Sequence, residues 1–202
     1  MSIFSVTSKY AANKWAEKAH DVETVIEQHA LAGGAAGLGA SWLPGAGAAI
    51  AGAAMVPIVW SMYYRINTVC GIKLSKAVLR SIAGAIVSNI IASASSYLLS
   101  IVGGTLLSFI PVVGNLSAMA LVAAANYGIV QVAGNVYAAI IQKRVDSGDD
   151  GSGTSEGEML KAAATIISKT NIAEELQKAK NRYSAGRENG TISGSEKIDP
   201  ID

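Results

Sequence analysis

The sequence predicts an all-α protein: two antiparallel hydrophobic helical hairpins, related by a weak internal repeat and flanked by amphipathic N- and C-terminal helices. Three observations predict it. No Asp, Glu, Lys or Arg occurs in the 37 residues between Glu27 and Arg65, or in the 62 between Arg80 and Lys143. Inside those two gaps Gly, Ala and Ser recur every four positions, and outside them apolar residues recur at helical spacing against charged ones. Half of the 202 residues are hydrophobic and 15% are charged, against a usual charged share of about 25%. The 16 basic residues are balanced by 15 acidic ones, which argues against a chain built to neutralise nucleic acid.

The elements follow in order. Residues 1–31 read as a polar helix with a narrow apolar stripe of Trp15, Ala19, Val22, Ile26 and Ala30, and no basic region leads into an apolar core as a secretory signal requires. Residues 32–145 form the hydrophobic helical domain. Its opening stretch, from Gly33 to Met55, is dense in Gly and Ala. Each helix-interior Gly costs roughly 0.8–1.0 kcal/mol relative to Ala, so a nonlocal gain must offset it. The spacing supplies one. Gly33, Gly37 and Ser41 recur every four residues, as do Gly84, Ser88, Ala92, Ser96 and Gly104, and small residues so spaced let helix backbones approach closely. Strict period four drifts about 40° per step on a 3.6-residue helix, so each run suits a crossing rather than a long seam.

The hairpin tips come from an offset of 67, which aligns Gly37, Ser41, Trp42, Leu43, Pro44 and Gly47 with Gly104, Ser108, Phe109, Ile110, Pro111 and Gly114. Proline presets a first helical turn and glycine frees the chain to reverse, which makes Pro44, Gly47, Pro111 and Gly114 tip residues. A spanning helix needs roughly 20 apolar residues, so the longer gap is long enough to cross a bilayer twice, while Pro57 leaves the first hairpin short or shallow. The basic flank of Arg65, Lys73, Lys76 and Arg80 contains no acid. It places the polar segments on the cytoplasmic side of a membrane. Within the longer gap Tyr127, Gln131 and Asn135 share one helical face and read as interhelical hydrogen-bonding groups.

No catalytic, cofactor-binding or metal-binding residues are expected. The run Gly34 to Ser41 has the spacing of a phosphate loop, but Ala40 stands where the lysine must be. Glu17 and His20 form a single E-x-x-H pair, Cys70 is the only cysteine, and the run from Asp146 to Gly157 puts glycine at two calcium-ligand positions. That last run reads as a linker over 146–157, followed by an amphipathic helix over 158–183 and a disordered tail over 184–202.

The stretch containing Met62, Arg65, Ile66, Cys70, Gly71, Leu74, Ser75 and Lys76, followed by Phe109, Pro111 and Gly114 and then Asn126, Tyr127 and Gly128, resembles the DUF697 family. The resemblance covers about residues 44–142. That family is a hydrophobic helical domain of unknown biochemistry, attached to or encoded alongside bacterial GTPases. The resemblance implies a bacterial inner-membrane setting and a GTPase partner acting in trans, since this chain has no GTP-binding motif of its own. It carries over no catalytic residue. The expectation is a non-enzymatic, self-associating scaffold embedded in or attached to the lipid bilayer. The alternatives are a pore-forming, toxin-like effector that inserts a hydrophobic hairpin and a soluble helical interaction module.

Overall fold

The computed structural model describes residues 14–40, 47–98, 115–193 and 195. Six helices are bounded within it: α1 (Lys14–Ala40), α2 (Gly47–Cys70), α3 (Lys76–Ser93), α4 (Asn115–Ser147), α5 (Glu156–Ser168) and α6 (Ile172–Glu188). Residues 95–98 are helical too, beyond a turn at Ala94. No strand occurs among the described residues, and the chain is all-α as its sequence predicts.

The core lies along α4. All five other helices pack on it, and burial is unbroken from Asn126 to Ala138. A helix that is apolar on every face must be covered on every face, by lipid or by protein. For these residues the cover is protein, which corrects the lipid surroundings that the uncharged gap suggests for them. The neighbours supply Ile26, Met62, Tyr63, Leu79, Ile86, Met159 and Leu176 to one continuous core.

Packing pairs give the directions. Gly33 meets Val130 and Ile26 meets Gly134, so α1 runs antiparallel to α4. The Tyr63 hydroxyl donates to the Ala133 carbonyl at 3.1 Å and the Tyr137 hydroxyl to Asn67 Oδ1 at 2.7 Å, so α2 runs with α4. Arg80 lies over Trp60 and Lys76 over Tyr64, so α3 returns antiparallel to α2. The C-terminal ends of α1 and α3 therefore meet the N-terminal ends of α2 and α4 at one end of the bundle. The ends of these four helices that meet there carry no charge, whereas the stretches 14–27, 65–80 and 143–150 carry theirs toward the other end. Of the expected tip residues, Gly47 begins α2; Pro44, Pro111 and Gly114, with Ser41 and Gly104, lie outside the described residues.

The first part of the glycine-rich run, Gly33 to Ala40, is helical and forms the last turns of α1, and the part from Gly47 opens α2. A Cβ at Gly33 would lie 2.7 Å from Val130 Cγ2, and one at Gly134 would lie 2.8 Å from two Ile26 carbons. Side chains are surrendered here so that α1 and α4 can nearly touch, and the offsetting gain is the core they close. The same helical geometry removes any phosphate loop over residues 34–40.

Three boundaries after α4 differ from the sequence expectation. The segment 146–157 is pinned rather than loose. Arg144 pairs with Asp149, the Asp149 and Asp150 carboxylates accept from the Gly151 and Ser152 N–H groups, and Lys73 N–H donates to the Asp150 carbonyl at 2.6 Å. The single helix expected over 158–183 is two, because Asn171 caps a new start by accepting from Glu174 N–H, while Ser155 and Glu158 form a capping box on α5. Finally, α6 continues to Glu188, and Ile192 folds back on Gly186 with 8% exposure, so the tail expected from residue 184 is ordered structure through that point.

Candidate functional site

The feature that the bundle leaves uncovered is the outer side of the α2–α3 hairpin. α3 forms because Ser75 caps it, accepting from Val78 N–H at 3.2 Å, and because Leu79, Ile82, Ala83, Ile86, Val87 and Ile90 make a buried stripe at helical spacing. The opposite stripe faces out. Ser88, Ala92 and Ser96 are exposed, and a Cβ at Gly84 would meet nothing within 4 Å. These were expected to be helix-packing residues, and among the described residues they face outward, away from the core. Gly33 does serve that role; Gly37 lies in α1, with no surroundings described.

At the charged end of this face stands a ladder of rings and cations. Arg80 Cζ lies 5.2 Å from the Trp60 ring centroid and Lys76 Nζ lies 5.4 Å from that of Tyr64. Trp60 Nε1–H donates to the Lys76 carbonyl at 3.3 Å. Below it, Lys73 Nζ pairs with Asp150 at 3.2 Å, and hydrogen bonds from Ser152, with help from Lys73, hold the Asp150 carboxyl at about 2. Three members of the expected basic flank thus converge on the α2–α3 turn. Arg65 instead lies on α2, where its charge is felt by His29. Trp60 and Tyr64 escaped the sequence reading. Their signal was an aromatic pair four residues apart, facing a basic pair four residues apart across one turn.

Three side-chain contacts tie the helices together. His29, with 0% exposure, places Nδ1 2.7 Å from the Val25 carbonyl and Nε2 3.1 Å from Ser61 Oγ. Burial lowers its pKa to about 4 against the pull of that carbonyl, and the Arg65 charge lowers it further. Tyr63 and Tyr137 stack at 3.9 Å. The Tyr127 hydroxyl donates to both Glu27 oxygens at 2.9 Å, and Arg182 on α6 approaches the same carboxylate at 3.9 Å. Gln131 and Asn135 share the Tyr127 face as expected and are buried, yet their side-chain oxygens meet no donor among the described residues.

Burial pushes the half-buried Cys70 thiol up to about 11, away from the thiolate that nucleophilic attack needs. Glu17 and His20 are exposed on α1, and no cluster of three His, Cys, Asp or Glu side chains occurs among the described residues.

Among the described residues one helix, α3, is long and apolar enough to cross a membrane, and 33% of it is buried. Comparison adds no relative. No family model matches the chain, and neither a curated protein nor a solved structure gives a significant match.

Proposed function

We propose that the chain is a non-enzymatic, membrane-associated helical scaffold. It sets the uncharged end of its bundle and the outer face of α3 against lipid, and keeps the charged end, with α5 and α6, in water. The observation that carries this reading is α3: it is long and apolar enough to cross a bilayer, and beyond Arg80 its outward face, with Ser88, Ala92 and Ser96 exposed, carries no charge to keep it from lipid. Two features shape it. The ends of α1, α2, α3 and α4 that converge at one pole are free of charge, and α4 is sheathed in protein from Asn126 to Ala138. The bundle therefore dips into one leaflet by its tip instead of crossing. The outward Gly84, Ser88, Ala92 and Ser96 offer a surface on which α3 helices of two copies associate closely. A GTPase partner in trans rests on the quoted sequence resemblance alone.

Liposome flotation of the full chain tests this reading. The expected outcome is co-flotation with phosphatidylcholine vesicles and recovery of the expressed protein in the membrane pellet. Complete recovery in the high-speed supernatant, with no flotation, overturns it and favours the second reading, a soluble helical interaction module, which the enclosure of α4 supports. Release of an entrapped dye on adding the protein would point to the pore-former instead.

A further inference from the structure

We infer that Trp60, Tyr64, Lys76 and Arg80 form a binding surface for anionic phospholipid headgroups, which sets how deep the tip of the bundle enters the bilayer. This rests on the membrane reading above and adds the class of lipid. The argument begins with where the cations are. Lys76 and Arg80 are exposed on α3 one turn apart, and each lies over a ring. Among the described residues no carboxylate is within ion-pair distance of either. The nearby acids are otherwise engaged: Asp150 holds Lys73, and Glu156 accepts from Ser81 at 2.6 Å. Helix starts ordinarily carry Asp or Glu, because the N-terminal dipole is positive. The first turn of α3 has none and carries Lys76, so positive charge accumulates at an exposed helix start that no carboxylate of the described residues offsets.

The neighbours of these cations identify the anion as a membrane surface. Indole and phenol rings sit at the headgroup level of bilayers with their apolar bodies inward, and Lys and Arg extend beside them toward phosphate. Beyond Arg80 the outward face of α3 has no charge through Leu98 and exposes the small residues Ser88, Ala92 and Ser96, so the ladder stands at the junction between a charged surface and an uncharged one. A negatively charged leaflet attracts each such cation by an amount that multiplies affinity roughly fivefold per residue.

The test is flotation of the full chain with vesicles of phosphatidylcholine alone and with vesicles containing phosphatidylglycerol. The expected result is tighter binding to the anionic vesicles by roughly 10- to 30-fold, lost at high salt. The double substitution Lys76→Gln/Arg80→Gln removes most of that gain while leaving binding to neutral vesicles intact. Lys161→Gln/Lys169→Gln, which changes net charge equally at two exposed positions, one on α5 and one just after it, keeps the gain. Circular dichroism shows that each variant is folded, and Arg80→Lys retains the preference should the double variant fail to fold. Equal binding of the unmodified protein to both vesicles, or equal loss in Lys161→Gln/Lys169→Gln, overturns the inference but not the scaffold reading. Absence of binding to either vesicle overturns both. A dimer in free solution that Lys76→Gln/Arg80→Gln abolishes, with vesicle preference unchanged, would reassign the surface to a second copy of the chain.

Discussion

Gly134 on α4 sits against Ile26 on α1 so closely that a methyl placed on it would lie 2.8 Å from two Ile26 carbons and 3.0 Å from Met62 Sδ. Gly134→Ala must therefore push apart α1, α2 and α4 at the centre of the core. It is expected to destabilise the fold by about 1–3 kcal/mol, despite the better helix propensity of alanine. Gly84→Ala meets open space and should stabilise by up to about 1 kcal/mol. Urea unfolding of the two variants checks the contrast; equal shifts would show that close approach is not what Gly134 provides.

His29 gives the fold a pH dependence of definite sign. Its folded pKa is about 4, below the ordinary value near 6.5, so the unfolded chain takes up the proton first. The stability that His29 contributes is complete above about pH 6.5 and is lost as the pH falls toward about 4, by roughly 3 kcal/mol in all. Unfolding midpoints taken between about pH 7 and pH 4.5 should fall in the unmodified protein and fall less in His29→Gln. Parallel curves would place the titrating group elsewhere.

What could be read in advance follows from which forces act locally. The all-α class, the helix pattern of α1 and the cluster of Lys73, Lys76 and Arg80 were legible, because periodicity and charge are properties of neighbours in sequence. The use of the small residues was not. Gly33 and Gly84 belong to like-spaced runs, yet one nests against Val130 and the other faces open space, a difference set by which helix arrives from elsewhere in the chain. The same holds for α4. An uncharged helix reads alike whether lipid or protein covers it, and only the arrival of five neighbours decides. The break between α5 and α6 was legible in principle, since Asn171 followed three residues later by Glu174 is a capping signal. The apolar spacing of Ile167 and Leu176 on either side concealed it.

Tyr137 anchors a third expectation. Its hydroxyl donates to Asn67 Oδ1 at 2.7 Å, and Asn67 is 3% exposed. Tyr137→Phe keeps the ring stacked on Tyr63 but strands that oxygen, at a cost of about 1–3 kcal/mol. The double variant Tyr137→Phe/Asn67→Leu should recover part of the loss, since removing both partners removes the stranded group. A double variant no more stable than Tyr137→Phe alone would show that Asn67 serves another contact. Thermal unfolding of the three variants measures the coupling.

The contact between α6 and the α1–α4 pair is the place where the C-terminal region holds the bundle. The Tyr183 ring fits over Gly34, where a Cβ would lie 2.9 Å from it, and meets the Tyr127 ring at 5.2 Å. Leu176 and Ala179 lie along Gly128 of α4. Truncating a buried aromatic of this size leaves a void worth about 3–5 kcal/mol, so Tyr183→Ala should loosen α6 ahead of the rest. The short connection at Lys169–Asn171 is then the first backbone exposed, and limited trypsin digestion should cut there before any site within α4. Tyr127→Phe removes only the hydroxyl's bonds to Glu27, which has Arg182 beside it and partial contact with solvent. Its cost should be smaller, about 1–2 kcal/mol, with the protease pattern unchanged. Equal sensitivity in the two variants would mean that the carboxylate contact, and not the ring in its glycine-lined seat, holds α6 in place.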